Sequence, residues 1–101
     1  MGLPVAYRLA ASREVIEAAR QYERQRPGLG AVFLDEIARI ESHLSDAPGL
    51  YQTVDGDVRR AVLRRFPFGL FYLEEPDRIL VLACLDLRRE PRLLRDHVGR
   101  Q

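Results

Sequence analysis

The stretch that decides the fold runs from Asp57 to Leu87. It reads Asp57-Val58-Arg59-Arg60-Ala61-Val62-Leu63-Arg64-Arg65, then Phe66-Pro67-Phe68-Gly69-Leu70-Phe71-Tyr72-Leu73, then Glu74-Glu75-Pro76-Asp77, then Arg78-Ile79-Leu80-Val81-Leu82-Ala83-Cys84-Leu85-Asp86-Leu87. The pattern predicts three successive antiparallel strands, the last two joined at Glu75-Pro76-Asp77. The third run is apolar on both parities and too short to span a membrane. Regular alternation puts residues 79, 81, 83, 85 and 87 on one face and 80, 82 and 84 on the other. A strand apolar on both faces needs cover on both. The rest of so short a chain can cover one. What covers the other is the functional question.

Working outward, Leu3–Leu9 alternates Val5, Tyr7 and Leu9 with polar or small residues and predicts a first strand. Ser12 follows as a cap for a first helix over 13–25, with Val15, Ile16, Ala19 and Tyr22 on its apolar face. Arg26-Pro27-Gly28-Leu29-Gly30 stops that helix. A second helix over 30–45 carries Phe33, Ile37, Ile40 and Leu44 in one stripe, with Asp35, Glu36, Arg39 and Glu41 opposite. The short link makes the pair an antiparallel hairpin, and its apolar stripes must lie on the sheet. Residues 50–56 form a link in which Tyr51 anchors against the helices. After the last strand, Leu93, Leu94 and Val98 predict a short packed tail. The expected fold is α+β: an N-terminal strand, an antiparallel helical hairpin, then a three-stranded antiparallel sheet with the helices packed on one face. The first strand pairs at one edge of the three, and the sequence leaves open which.

Size and composition narrow the possibilities. At 101 residues the chain is expected to be a single domain, 1–101. Its 47% apolar and 31% charged content argues for a globular core rather than disorder. One cysteine, Cys84, allows no internal disulfide, which points to a reducing, cytoplasmic setting. Met1-Gly2-Leu3-Pro4 lacks the features of a signal peptide, and no run is long enough for a membrane helix. Two histidines 54 positions apart and one cysteine supply no metal spacing, and no cofactor motif is visible, so neither metal nor cofactor is expected. Net charge is only +1, but 58–72 holds four arginines and no acid. All sixteen cations are arginine, a usage that coding bias explains and that also suits phosphates and carboxylates.

Four pieces together resemble the RelE/ParE superfamily of bacterial toxins. They are Tyr22-Glu23-Arg24-Gln25-Arg26-Pro27-Gly28-Leu29-Gly30 leading into Phe33-Leu34-Asp35-Glu36-Ile37; Pro48 ahead of Tyr51; Val58 through Phe68; and Leu85-Asp86-Leu87-Arg88-Arg89-Glu90-Pro91. The resemblance spans nearly the whole chain and is closest to the ParE-like branch, a group associated with plasmid stabilization. It implies the toxin of a type II toxin–antitoxin pair, held by a cognate antitoxin in a hetero-oligomer. Free toxin would arrest growth by binding a protein target such as DNA gyrase. The alternative it implies is a RelE-like, ribosome-dependent mRNA endoribonuclease. Such relatives often carry His where this chain has Asp86. An acid there repels phosphate unless an arginine neutralises it. A gyrase-binding toxin is therefore favoured over an mRNA-cleaving enzyme.

Two groups of candidate residues follow. Arg59, Arg60, Arg64 and Arg65 on the first strand of the sheet, with Arg88 and Arg89 after the last, form a possible strip for target or RNA. The same arginines would also guard an exposed edge and pair with helix acids. RNA cleavage needs a base and a proton donor as well as cations. Glu74, Glu75, Asp86 and His97 are the possible bases, and Tyr72 is a possible donor; His43 is expected at the surface. The antitoxin interface is expected on the sheet face the helices leave, with Leu80 and Leu82. The middle strand adds either Phe68, Leu70 and Tyr72 or Phe71 and Leu73. Of these, Phe68, Leu70, Tyr72, Leu80 and Leu82 are the leading candidates.

Overall fold

A computed structural model describes residues 2–89. The first strand, β1, is Val5–Tyr7, and helices α1 (Leu9–Gln25) and α2 (Leu29–Asp46) follow. Four more strands follow among the described residues: β2 (Thr53–Asp55), β3 (Val58–Val62), β4 (Phe68–Glu74) and β5 (Ile79–Asp86). The expected α+β order is present, but the sheet has five strands in the order β1-β5-β4-β3-β2. It is mixed, because β1 runs parallel to β5 while the other neighbours are antiparallel. The open choice of edge is thus settled in favour of the last strand. The additional strand, β2, lies inside the predicted link and gives β3 a second neighbour, so β3 is not an edge. The tail residues Leu93, Leu94 and Val98, together with His97, lie outside the described residues.

Sheet pairing sets the start of α1. The Arg8 N–H donates to the Val81 carbonyl at 3.0 Å, so the chain passes from strand to helix with Arg8 as an extended N-cap. Ser12, expected as the cap, already sits in the first turn and donates its own N–H to the Arg8 carbonyl. On α1 the buried residues are Ala11, Val15, Ala18 and Ala19, whereas Ile16 is 48% exposed. Small side chains let this helix lie close on β5, and that roll turns Ile16 outward.

The α2 stripe of Phe33, Ile37, Ile40 and Leu44 is buried throughout. At the hairpin, Gly28 takes φ 90°, which a residue with a Cβ adopts only at a cost. A carboxylate replaces the missing cap: Glu23 accepts the Gly28 N–H at 3.0 and 3.1 Å and the Gly30 N–H at 3.1 Å. Gly30 also permits close helix approach, since a Cβ there would stand 2.7 Å from the Ala19 carbonyl oxygen.

The main core forms where both helices lie on the sheet. Tyr22, Phe33, Phe66 and Phe68 pack there with ring centroids 4.6–6.0 Å apart. Leu70, Tyr72, Ile79, Val81 and Cys84 belong to the same cluster. A second apolar cluster holds Val58, Phe71, Leu82, Ala83 and Leu85, with half-buried Leu73, Leu80 and Leu87 around it. Among the described residues, none from a helix belongs to it.

A bulge decides which residues face which way. Phe71 pairs with Ala83 but Tyr72 pairs with Val81, leaving Leu82 as the extra residue on β5. The expected parity therefore holds only to Leu82. Beyond it Ala83 and Leu85 join Leu80 and Leu82 on the second face, and Cys84 moves to the helix side.

Candidate functional site

The cationic residues separate into two groups. Arg59 lies on β3 opposite Tyr72, on the helix side, and its guanidinium donates to the Tyr51 carbonyl at 2.6 Å. It fastens the 49–51 loop rather than joining a surface strip. Arg60 pairs with Phe71 and faces the second cluster. Its stem lies across Gly69, where an added Cβ would stand 3.2 Å from Arg60 Cγ and 3.3 Å from a Leu87 methyl. Glycine at 69 is what lets an arginine and a leucine close over the sheet at that point.

Arg64 and Arg65 were expected on the strand, but β3 ends at Val62 and both sit in the loop that follows. Glu36 fixes that loop. The residue is only 8% exposed, and its carboxylate accepts the Arg64 N–H at 2.7 Å and the Arg65 N–H at 3.1 Å. Arg39 stands 3.6 Å away as its counter-charge. With the backbone held, both arginine side chains point into solvent. This corrects the placing of Glu36 on the polar face of α2: three residues after Phe33 and four before Ile40, it falls inside the buried stripe.

The same end of the sheet receives Arg88 and Arg89. The Leu87 N–H donates to the Pro67 carbonyl at 2.7 Å, which brings the end of β5 beside the loop carrying Arg64 and Arg65. Arg88 closes a two-point ion pair on Asp86, at 3.0 and 2.7 Å. That hydrogen bond is the main reason the Asp86 carboxyl is held below its usual range. The acid at this position is thus neutralised locally, and Arg88 is committed to it.

The candidates for proton transfer are dispersed. Tyr72 donates its hydroxyl to the Pro48 carbonyl at 2.7 Å on the helix side, and burial pushes its pKa up to about 12. Glu75 accepts from Arg78 at 2.6 Å in the turn at the far end of β4. His43 Nδ1 lies 3.4 Å from the Tyr51 hydroxyl, beside the main core. Cys84 is buried, and burial pushes its thiol up to about 12. Its N–H, beyond the short reach of β1, donates to Glu14 on α1 at 3.0 Å.

The expected interface set is likewise divided. Phe68, Leu70 and Tyr72 pack with the helices, because residues opposite one another on β4 and β5 share a face and the bulge sets which face that is. This corrects their grouping with Leu80 and Leu82, which do lie on the second face. The other set, Phe71 and Leu73, keeps them company, with Val58, Ala83, Leu85 and Leu87 besides. At the border Val62 is 46% exposed, opposite Gly69 and close to Arg60. Among the described residues, no group of three or more His, Cys, Asp or Glu is placed to hold a metal ion. No described helix is long and apolar enough to cross a membrane.

No family model and no curated protein matches this sequence. Its fold does match solved structures. A chain described as "Chromosomal ParDE TA system from P. aeruginosa" superposes with a TM-score of 0.72 at 16% identity, over 84% of this chain and 96% of that one. The two share a fold that few sequence identities would have revealed.

Proposed function

We propose that this chain is the toxin of a type II toxin–antitoxin pair, neutralised by an antitoxin that docks on the second face of the sheet. The observation that carries this reading is the second apolar cluster, to which no helix among the described residues contributes. Leu73, Leu80 and Leu87 at its margin and the exposed Val62 offer apolar contacts, and Arg60 borders them. A partner segment with apolar side chains on one face and an acid near Arg60 suits that surface. The fold shared with a chain of a ParDE TA system supports the same reading.

Free of its antitoxin, the chain arrests growth by binding a protein target, for which DNA gyrase is the first candidate. Support for binding over RNA cleavage comes from commitment of the polar groups. Asp86 is tied to Arg88, Glu75 to Arg78, and the Tyr72 hydroxyl to the Pro48 carbonyl. Arg64 and Arg65, presented by a loop anchored on Glu36, are free to meet an acidic patch on the target.

Expression in a bacterial host tests both parts. Growth arrest relieved by the protein encoded next to this one, together with inhibition of purified gyrase, is the expected result. Cut transcripts without any effect on gyrase would transfer the reading to an mRNA endonuclease. Normal growth without the neighbouring protein would leave a binding module only.

A further inference from the structure

The second sheet face has a charged border around its apolar middle, and the two ends of that border differ in sign. At one end β3 stops, β4 starts and β5 stops, and the Leu87 N–H meets the Pro67 carbonyl. Arg60 faces the cluster, and its stem runs over Gly69 beside Leu87. Arg64 and Arg65 are exposed in the loop beyond it. Of the acids near this end, Asp86 is held by Arg88, and Glu36 is buried under the loop against Arg39.

The opposite end gathers Asp55, Asp57, Glu74, Glu75 and Asp77 around the β2–β3 and β4–β5 turns. Asp55 stands opposite Val58, a residue of the second cluster, and so shares its face. Asp57, Glu74 and Glu75 line a recess of about 340 Å³ together with Leu73, at the margin of the cluster. Two arginines reach this end, and both are committed. Arg78 pairs with Glu75, and Arg59 donates to the Tyr51 carbonyl from the helix side. Among the described residues, Asp55, Asp57, Glu74 and Asp77 make no ion pair.

The near-neutral net charge of +1 averages over this arrangement. The seven residues of β4 hold the two ends about 20 Å apart. The Debye length at physiological ionic strength is only about 8 Å, so the ends do not cancel one another. A segment acidic throughout is attracted at Arg60 and repelled beside Leu73 and Leu80; one basic throughout meets the reverse. A segment that changes sign along its length suits both ends while its apolar side chains cover Leu73, Leu80 and Leu87. Resting on the reading that the antitoxin docks on this face, we propose that its docking segment is charge-segregated: acidic over Arg60, apolar in the middle, basic beside Asp55 and Asp57. The span asks for about 13 residues if helical or about 6 if extended. The charges also fix its direction, because a reversed segment sets like charges together at both ends.

Isothermal titration of the full chain with the protein encoded next to it, at about 50 and 300 mM salt, tests this. Arg60→Glu, and separately Asp55→Arg with Asp57→Arg, should each weaken binding about tenfold at low salt and less at high salt. Asp55 and Asp57 are exposed, so their exchange should leave the thermal melt unchanged. If Arg60→Glu fails to fold, Arg60→Met keeps a stem over Gly69 without the charge, and a loss of about threefold is expected. Tighter binding by either charge variant would make the segment uniform in sign. Unchanged binding would leave that border uncovered. Each result overturns the proposal. Leu80→Asp separates it from the reading beneath it. If Leu80→Asp abolishes binding while a charge variant binds as well as the parent or better, docking on the second face stands and the segregation falls. If Leu80→Asp binds like the parent, the antitoxin docks elsewhere and both fall.

Discussion

The two faces of β4 and β5 are built from neighbouring residues of the same strands, yet they are different surfaces. On one, Leu70, Tyr72, Ile79, Val81 and Cys84 meet α1 and α2 in the main core. On the other, Phe71, Leu82, Ala83 and Leu85 pack with strand residues and Leu87, and among the described residues no helix joins them. Hydrophobicity does not distinguish them, since both are apolar. The difference is that the hairpin returns over one side, and the bulge at Leu82 determines which residues it finds there. An apolar strand residue therefore has no fixed meaning until the register is known.

The sharpest way to break this comparison is to charge each face in turn. Leu70 is fully buried under the helices, and Leu70→Asp leaves an unpaired carboxylate there. The cost is about 3–5 kcal/mol or more, against a total stability of about 5–15. No cooperative urea transition is expected. Leu80 lies half-buried at the margin of the second cluster. Leu80→Asp should keep a cooperative transition within about 1–2 kcal/mol of the parent while losing the antitoxin in a pull-down. Equal collapse of both variants would make the second face an ordinary core.

A smaller effect concerns the end of the sheet. Glu36→Ala removes the acceptor of two loop N–H groups and leaves Arg39 without its partner. A loss of about 1.5–3 kcal/mol is expected from hydrogen bonds to a charged group. Amide exchange at Arg64 and Arg65 should rise more than elsewhere. Uniform exchange across the chain would mean that Glu36 does not hold that loop.

What the sequence discloses follows the same division. The stripe of Phe33, Ile37, Ile40 and Leu44, the glycine turn and the three long strands were legible, because each rests on a local period or a local backbone demand. The bulge was not, because Leu82 and Ala83 are both apolar and a one-residue slip between them leaves no trace in polarity. Nor was β2, since Thr53, Val54 and Asp55 are exposed and become a strand only by pairing with β3. Of the candidate site, Leu80 and Leu82 were placed correctly in space. Arg59 was not, because its partner is a loop carbonyl that no pattern of residue types marks.

On the helix side the Tyr72 hydroxyl offers a finer measurement. Tyr72→Phe keeps the ring packed against Tyr51 and removes only the bond to the Pro48 carbonyl, so a loss of about 1 kcal/mol is expected. Ultraviolet titration of the folded protein should show this phenol ionising near 12, above an ordinary tyrosine. An ordinary value would place the ring in water and move Tyr72 out of the main core.

The smallest effect lies where the two faces meet, at the end of β5. Arg88 holds Asp86 as the carboxylate, so the folded state binds a proton there less readily than the unfolded chain. The resulting stabilisation is complete above the ordinary aspartate range, near 3.9. It fades as pH falls through the lower folded value. Asp86→Asn should therefore cost little at neutral pH, since the pair is solvent-screened, and should flatten the acid limb of stability measured between about pH 5 and 2. It should also free Arg88 at the sheet end that carries Arg64 and Arg65. If the variant gains affinity for an acidic target, the Asp86–Arg88 pair limits the cationic surface of this end. If it loses affinity, Arg88 contributes through the orientation that Asp86 imposes.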